Sequence, residues 1–240
     1  MLKFLFSVLL IVIFLTSCLF GGERIKGNGT MRTEERSVSS FTKVEVHGAI
    51  DVYLSQGKLT PVRIETDENL ISYIEVIEEG NSLTLTSRKG YNLDPSRGIK
   101  VYISSPSIKS IDVSGASNIT GQTKMDISDK MVLMVSGSGE MNMEVDAPKI
   151  EASISGSGEV NLKGKTRDFE LSLSGAGNAS CYELLSENTS VDISGAGGAE
   201  VYASQELKAD VSGAGKVSYK GNAKNINQQV SGAGTVKKVD

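Results

Sequence analysis

Catalytic and metal-binding chemistry needs histidine, cysteine, clustered carboxylates or a glycine-rich anion loop, and this chain offers little of the first two. Its 240 residues hold one histidine, His47, and two cysteines, Cys18 and Cys181. His47 stands beside Gly48 at the end of a strand-like run, with no companion Ser, Cys or acid set apart from the background. A general base needs a partner at bonding distance, so His47 reads as a turn residue. Asp192 and Asp210 lie 18 residues apart and Glu140 and Glu159 lie 19 apart, a spacing that could stack each pair of carboxylates near one hard cation. Calcium wants about six oxygen ligands and each pair supplies two, so these acids read as a solvated face rather than a metal site. A Ser-Gly-x-Gly phrase could suggest a phosphate cradle, but such loops occur once, between a strand and a helix. Here the phrase has seven copies without helices, the first ending in Ser117 in place of Gly, and the slot where a calcium-binding nonapeptide repeat places Asp holds apolar residues. No catalytic residue, metal ligand or cofactor site is expected.

The recurrence itself defines the elements. Ser114-Gly115, Ser136-Gly137, Ser155-Gly156, Ser174-Gly175, Ser194-Gly195, Ser212-Gly213 and Ser231-Gly232 follow one another at spacings of 22, 19, 19, 20, 18 and 19 residues. A period near 20 marks a solenoid, whose units bury their apolar faces only by stacking. The position before each serine holds Val113, Val135, Ile154, Leu173, Ile193, Val211 or Val230. Two residues earlier come Ile111, Leu133, Ala152, Leu171, Val191, Ala209 and Gln228. This alternation is that of a strand. It resumes after the glycines with Ile119, Met141, Val160, Ala179, Ala199, Val217 and Val236, flanked by Asn142, Asn161, Ser180 and Glu200. No stretch sustains a helical period. The spacing predicts strand, glycine corner, strand and a variable third side, stacked as an all-β, right-handed parallel β-helix with coils of about 19–20 residues. Cys181 falls in the inward slot of Met143, Leu162, Val201 and Tyr219, so it should pack as a small apolar group. Residues 41–110 lack the phrase but are equally strand-like, and read as irregular coils continuous with the repeats of 111–240. Asp67-Glu68-Asn69-Leu70 could begin one helical turn with Asp67 as N-cap.

The N-terminus carries an address. Lys3 precedes an apolar run from Phe4 to Leu15, followed by Leu15-Thr16-Ser17-Cys18. This string resembles the bacterial lipoprotein signal. The resemblance implies a signal peptide over 1–17, a mature chain beginning at Cys18 and a lipid, palmitate included, on that residue. An uncleaved membrane anchor over Leu2–Phe20 is the alternative, interrupted by Thr16 and Ser17. The absence of an acidic residue after Cys18 favours the outer membrane. Residues 18–40 read as the lipidated N-terminus and a polar tether, with a single domain over 41–240. An acylated Cys18 leaves Cys181 without a disulfide partner. A net charge of -4 and a pI near 5.3, with scattered Lys and Arg, give no basic field for nucleic acid.

Several strings together carry a family resemblance: Phe41-Thr-Lys-Val-Glu-Val-His-Gly-Ala-Ile-Asp-Val-Tyr-Leu-Ser-Gln-Gly57, Glu65-Thr-Asp-Glu-Asn-Leu70, Val101-Tyr-Ile-Ser-Ser-Pro106 leading into Ile111-Asp-Val-Ser-Gly-Ala-Ser117, and the Ser-Gly-x-Gly series. From Phe41 onward the chain resembles the putative auto-transporter adhesin, head GIN domain family of bacterial envelope proteins. That resemblance implies a β-solenoid and an exported or lipid-anchored location, and it brings no catalytic residues.

The function expected is that of a nonenzymatic, lipid-anchored envelope protein whose long strand-lined face binds a surface polysaccharide or protein. Two rivals belong to other classes: a polysaccharide lyase or hydrolase, since β-helices host such enzymes, and an architectural protein polymerising end to end. The last repeat places Gln228 and Lys238 where earlier coils place apolar residues. A polar terminal coil predicts a monomer or small assembly.

Overall fold

The computed structural model describes residues 22–240, so Cys18 and the whole signal-like segment lie outside the described residues. Inward side chains stack in columns along a β-solenoid of about 7 turns. The column before each corner runs Val46, Val113, Val135, Ile154, Leu173, Ile193 and Val211, all buried. Strands of neighbouring coils pair in parallel and in the register read from the serines: Ser136 with Ser155, Ser155 with Ser174, Ser174 with Ser194 and Ser194 with Ser212. Each strand inside the stack therefore has neighbours above and below, which satisfies its backbone groups without helices.

The corners explain their composition. Gly115, Gly137, Gly156, Gly175, Gly195, Gly213 and Gly232 all have positive φ, between 101° and 133°. A Cβ added to any of them would lie 2.4 to 2.6 Å from the carbonyl oxygen of the corner glycine in the preceding coil. Glycine is thus required twice, by the dihedral and by the closeness of the next backbone.

Three expectations are corrected at the N-terminal end. The polar stretch read as a tether contains strands. Glu23–Lys26 pairs in parallel with Tyr91–Asp94, and Met31–Arg36 pairs antiparallel with Val62–Asp67. The charges that suggested a solvated linker belong to an outermost strand, where charged residues suit an edge that must not recruit other strands.

Residues 41–110 are not coils in simple succession. Lys43–Gly48 and Asp51–Gln56 form a regular coil that pairs directly with Ser110–Gly115 and Asn118–Gly121, 67 residues downstream. The intervening chain runs back over the other side of that coil. Ser82–Ser87 and Lys100–Ser105 pair with it in parallel, and the antiparallel strands Ile74–Glu79 and Val62–Asp67 cover those in turn. The first sheet therefore ends in Ile74–Glu79 and the second in Met31–Arg36.

Asp67 is not a helix cap. It ends a strand, is fully buried, and a single 3-10 turn follows over Ile71–Tyr73 with Leu70 at its N-cap. The Asp67 carboxylate accepts from Gly29 N–H at 2.7 Å, Ser96 N–H at 2.8 Å and Ser96 O–H at 2.7 Å. Burial pushes this carboxyl up, but those three donors outweigh it and hold it below the ordinary range.

The other end is open. Asn225–Gly232 forms the last strand of the first sheet and is exposed throughout, with Ile226 at 46% and Val230 at 44%. No strand covers it among the described residues.

Candidate functional site

The second strand of each coil presents an outward row, the flanking positions of the sequence alternation. Parallel register stacks Thr120, Asn142, Asn161, Ser180 and Glu200 on successive coils. Two residues further along, Glu144 and Lys163 form a second row beside the first. The two rows floor an open groove of about 600 Å³, walled by the Gln122–Lys124 turn on one side and by Tyr182 and Glu183 on the other.

Hydrogen bonds order this surface. Asn161 Nδ2 donates to Asn142 Oδ1 at 2.8 Å between neighbouring coils, and Asn142 Nδ2 donates to Glu140 Oε1 at 2.8 Å within its own strand, a short amide ladder that joins two coils. Lys163 pairs with Glu144 at 3.3 Å, and Lys124 pairs with Asp146. The Lys220 ammonium lies 5.3 Å from the centre of the Tyr182 ring. Burial pushes the Tyr182 hydroxyl up, against the contrary effect of a hydrogen bond with Ser218. The groove therefore offers donors and acceptors at the coil spacing of about 4.8 Å, together with a phenol at one wall. Its lining holds neither His nor Cys. Such a surface offers reversible hydrogen bonding to an extended polar chain, with Glu144, Glu183, Glu200, Lys124 and Lys163 as charged contacts.

The residues weighed for chemistry fall elsewhere. His47 is the penultimate residue of its strand, in register with Ser114. The structure gives it the companions that the sequence did not reveal: Nδ1 lies 2.5 Å from Ser114 Oγ, and Nε2 lies 3.8 Å from Glu45 Oε2. The longer separation is outside hydrogen-bonding distance. Glu45 is already engaged by Lys43 at 2.6 Å and by Ser82 O–H at 3.1 Å. A nucleophile set needs its base oriented by a bonded third group, and this row lacks that bond.

Register does bring Asp192 beside Asp210 and Glu140 beside Glu159. One carboxylate of each pair has a protein partner: Lys208 Nζ sits 3.1 Å from Asp210, and Glu140 accepts from Asn142. Among the described residues no group of three or more His, Cys, Asp or Glu is placed to hold a metal ion. Cys181 is fully buried, donates weakly toward Val160 O, and has its thiol pushed up to about 12, chiefly by burial. Among the described residues no helix is long and apolar enough to cross a membrane.

Sequence reasoning names the residues of the groove floor as strand flanks but not as a site. The turn Gln122–Lys124 and the wall residue Tyr182 fall outside the repeat phrase, yet they line the groove beside the row.

Comparison with the curated proteins finds no match. Among solved structures, a "putative adhesin" from Bacteroides fragilis superposes with TM-score 0.85 at 23% identity, covering 90% of this chain and 100% of that one. A "putative lipid binding protein" from Parabacteroides distasonis gives TM-score 0.74 at 24% identity, with 91% and 100% covered. At those identities the likeness establishes the fold alone. A "putative adhesin" from Parabacteroides merdae is 28% identical, with TM-score 0.73 and the same coverage of 91% and 100%. The family model described as putative auto-transporter adhesin, head GIN domain, matches residues 40–223, and the chain belongs to that family.

Proposed function

We propose that this protein is a nonenzymatic cell-envelope binding module, anchored by lipid on Cys18 in the outer membrane, whose groove over Thr120, Asn142, Asn161 and Glu200 takes a linear surface polysaccharide. Family membership and the likeness to structures described as adhesins support an envelope or surface location. The observation that carries the ligand class is the amide ladder from Glu140 through Asn142 to Asn161 within a groove walled by Tyr182. Amide and hydroxyl groups at fixed spacing match the hydroxyls of a repeating sugar chain, and a tyrosine edge offers an apolar contact to a sugar face. The anchor is supported by Leu15-Thr16-Ser17-Cys18 after an apolar run.

A glycan array probed with the full chain in detergent tests the reading. Binding to linear polysaccharides that drops at least tenfold in Asn142→Ala and Asn161→Ala supports it. No glycan binding, or loss of binding on neither substitution, overturns the groove assignment. Release of reducing or unsaturated ends from a bound polysaccharide overturns the nonenzymatic reading in favour of a lyase or hydrolase. Mass spectrometry of the membrane-extracted protein tests the anchor, with an unmodified Met1 as the result that rejects it.

A further inference from the structure

The tether that the sequence suggested is taken up by the fold, and this changes what an anchor at Cys18 would do. The first strand begins at Glu23, so four residues, Leu19 to Gly22, separate it from Cys18. Five chain steps span at most about 18 Å when fully extended.

The strand itself is fixed to the body of the protein. Glu23–Lys26 pairs with Tyr91–Asp94, and Arg24 bonds Asp94 at 2.8 Å. Asn69 accepts from Asn28 N–H at 2.9 Å and donates to Lys26 O at 2.8 Å. Buried Asp67 holds Gly29 to Ser96. Gly27 packs so closely on the Asp67 carboxylate that a Cβ there would lie within 2.3 Å of it. From Glu23 onward the chain has no slack.

We infer that the N-terminal capping layer of the solenoid rests on a lipid bilayer, with the C-terminal coil directed away from it. This posture depends on lipidation of Cys18. A leash of at most about 18 Å keeps Glu23 within that distance of Cys18, whereas a solenoid of about 7 turns carries its last coil roughly 34 Å farther along the axis. Side-chain chemistry favours this end over the flanks. Among the described residues the exposed large apolar side chains are Met31, Leu59, Ile77, Leu185, Ile226 and Val230. Met31 and Ile77 lie on the outermost strands of the two sheets at the N-terminal end, and Leu59 lies in the loop leading into the capping strand Val62–Asp67. Arg24 and Arg32 of the same layer are paired with Asp94 and Glu68, so the exposed apolar side chains carry this preference. The flanks of the coils contribute Leu185 alone. An end-on posture also leaves the polar groove free along its whole length.

The chain has no Trp, so a single introduced Trp reports its own surroundings. Full-length, membrane-extracted protein carrying Met31→Trp or Thr235→Trp is reconstituted into phosphatidylcholine vesicles, with and without lipid bearing a headgroup spin label. Mass spectrometry of Cys18 and vesicle flotation are measured on the same samples. The expected result is loss of most of the Met31→Trp emission on adding the quencher lipid and no loss for Thr235→Trp. A third variant combines Met31→Trp with an insertion of about 20 Gly and Ser residues after Gly22, lengthening the leash by about 25 Å root-mean-square. It should still float, and its indole emission should recover. An acylated protein that floats but quenches equally at both positions overturns the posture while leaving the anchor standing. A protein without acyl modification that stays in solution removes the anchor and this inference with it.

Discussion

The corner glycines allow the fold to be tested by separating two costs that usually occur together. Gly48 and Gly156 occupy the same column of the stack and share a backbone conformation, with φ of 105° and 114°. They differ in what a side chain would meet. Nothing lies within 4 Å of a Cβ on Gly48, whereas a Cβ on Gly156 would be 2.6 Å from Gly137 O and 3.2 Å from Gly137 N. Gly48→Ala should therefore cost the dihedral alone, about 1–3 kcal/mol, less the few tenths that alanine recovers by restricting the unfolded chain. Gly156→Ala carries the same strain and must also push apart the backbones of adjacent, hydrogen-bonded coils, which adds about 1–3 kcal/mol as overpacking.

Urea unfolding followed by far-ultraviolet circular dichroism should show both midpoints falling at unchanged slope, Gly156→Ala by the larger amount. Ser155→Ala, an exposed change in the same corner, should stay within about 0.5 kcal/mol of wild type. Equal losses for the two glycine variants would refute the claim that coil contact, and not φ alone, selects glycine at these corners.

Three further outcomes are expected. Cys181 should resist a thiol reagent in the native protein at pH 8 and react only on unfolding, since burial pushes its thiol up to about 12; labelling at the rate of a free thiol would contradict its core placement. Asp67, held below its ordinary value of 3.8, contributes stability that is present above that pH and lost as pH falls through its lower folded value. Asp67→Asn should thus cost about 1–3 kcal/mol at pH 7 and flatten the fall in stability below about pH 4, measured by urea midpoints across pH. Replacing Gln228 and Lys238 with Leu should raise the apparent mass of the unlipidated chain in sedimentation at micromolar concentration. Filaments already formed by the wild type would contradict the idea that this coil resists stacking.

The repeat was legible because its corner admits so few residues. Only glycine fits the positive φ and the close backbone, so Ser-Gly-x-Gly survives in every coil from Ser136 to Gly234, and all but its last glycine at Ser114-Gly115-Ala116-Ser117, while the strands vary around it. The same corner was hidden at His47-Gly48-Ala49, where no coil presses on Gly48 from the capping side and Ile50 stands two residues after Gly48. The physical signal was present in the alternation of Val44, Glu45 and Val46, but it lacked the phrase. Met31–Arg36 was missed for another reason. Sequence periodicity detects a strand through a buried face, and this strand has none, being exposed or half-buried at every position. Its pairing partner, Val62–Asp67, supplies the apolar side. Asp67 was misread because a carboxylate before a short polar run looks like a cap, whereas its ligands, Gly29 and Ser96, come from segments that sequence spacing does not bring together. The groove floor was visible as a row of Asn, Ser and Glu. The turn and the tyrosine that line the groove beside it lie outside the repeat.

The two ends of the stack are unlike, and that difference bears on both assembly and binding. A solenoid that polymerises head to tail must offer a parallel edge at each end, so that the last coil of one copy continues into the first coil of the next. At the N-terminal end the first sheet terminates in Ile74–Glu79, which runs antiparallel to the stack and so cannot extend the parallel register, whereas Met31–Arg36, reached through two antiparallel steps, runs in the direction of the coils. Met31–Arg36 also carries charges of both signs on its exposed positions. At the C-terminal end the parallel edge is uncovered, and what opposes stacking there is composition: Gln228 stands in line with Ala209 and Lys238 in line with Tyr219. The N-terminal end is thus closed by strand direction at Ile74–Glu79 and by charge at Met31–Arg36, and the C-terminal end only by side-chain chemistry. Head-to-tail growth is disfavoured by the first even where the second is removed by mutation. The Gln228 and Lys238 double variant should therefore stop at a closed pair joined through two C-terminal edges instead of forming fibres. Sedimentation resolving a dimer would agree with this account, and an open-ended size distribution would show that the capping strands do not block the N-terminal edge.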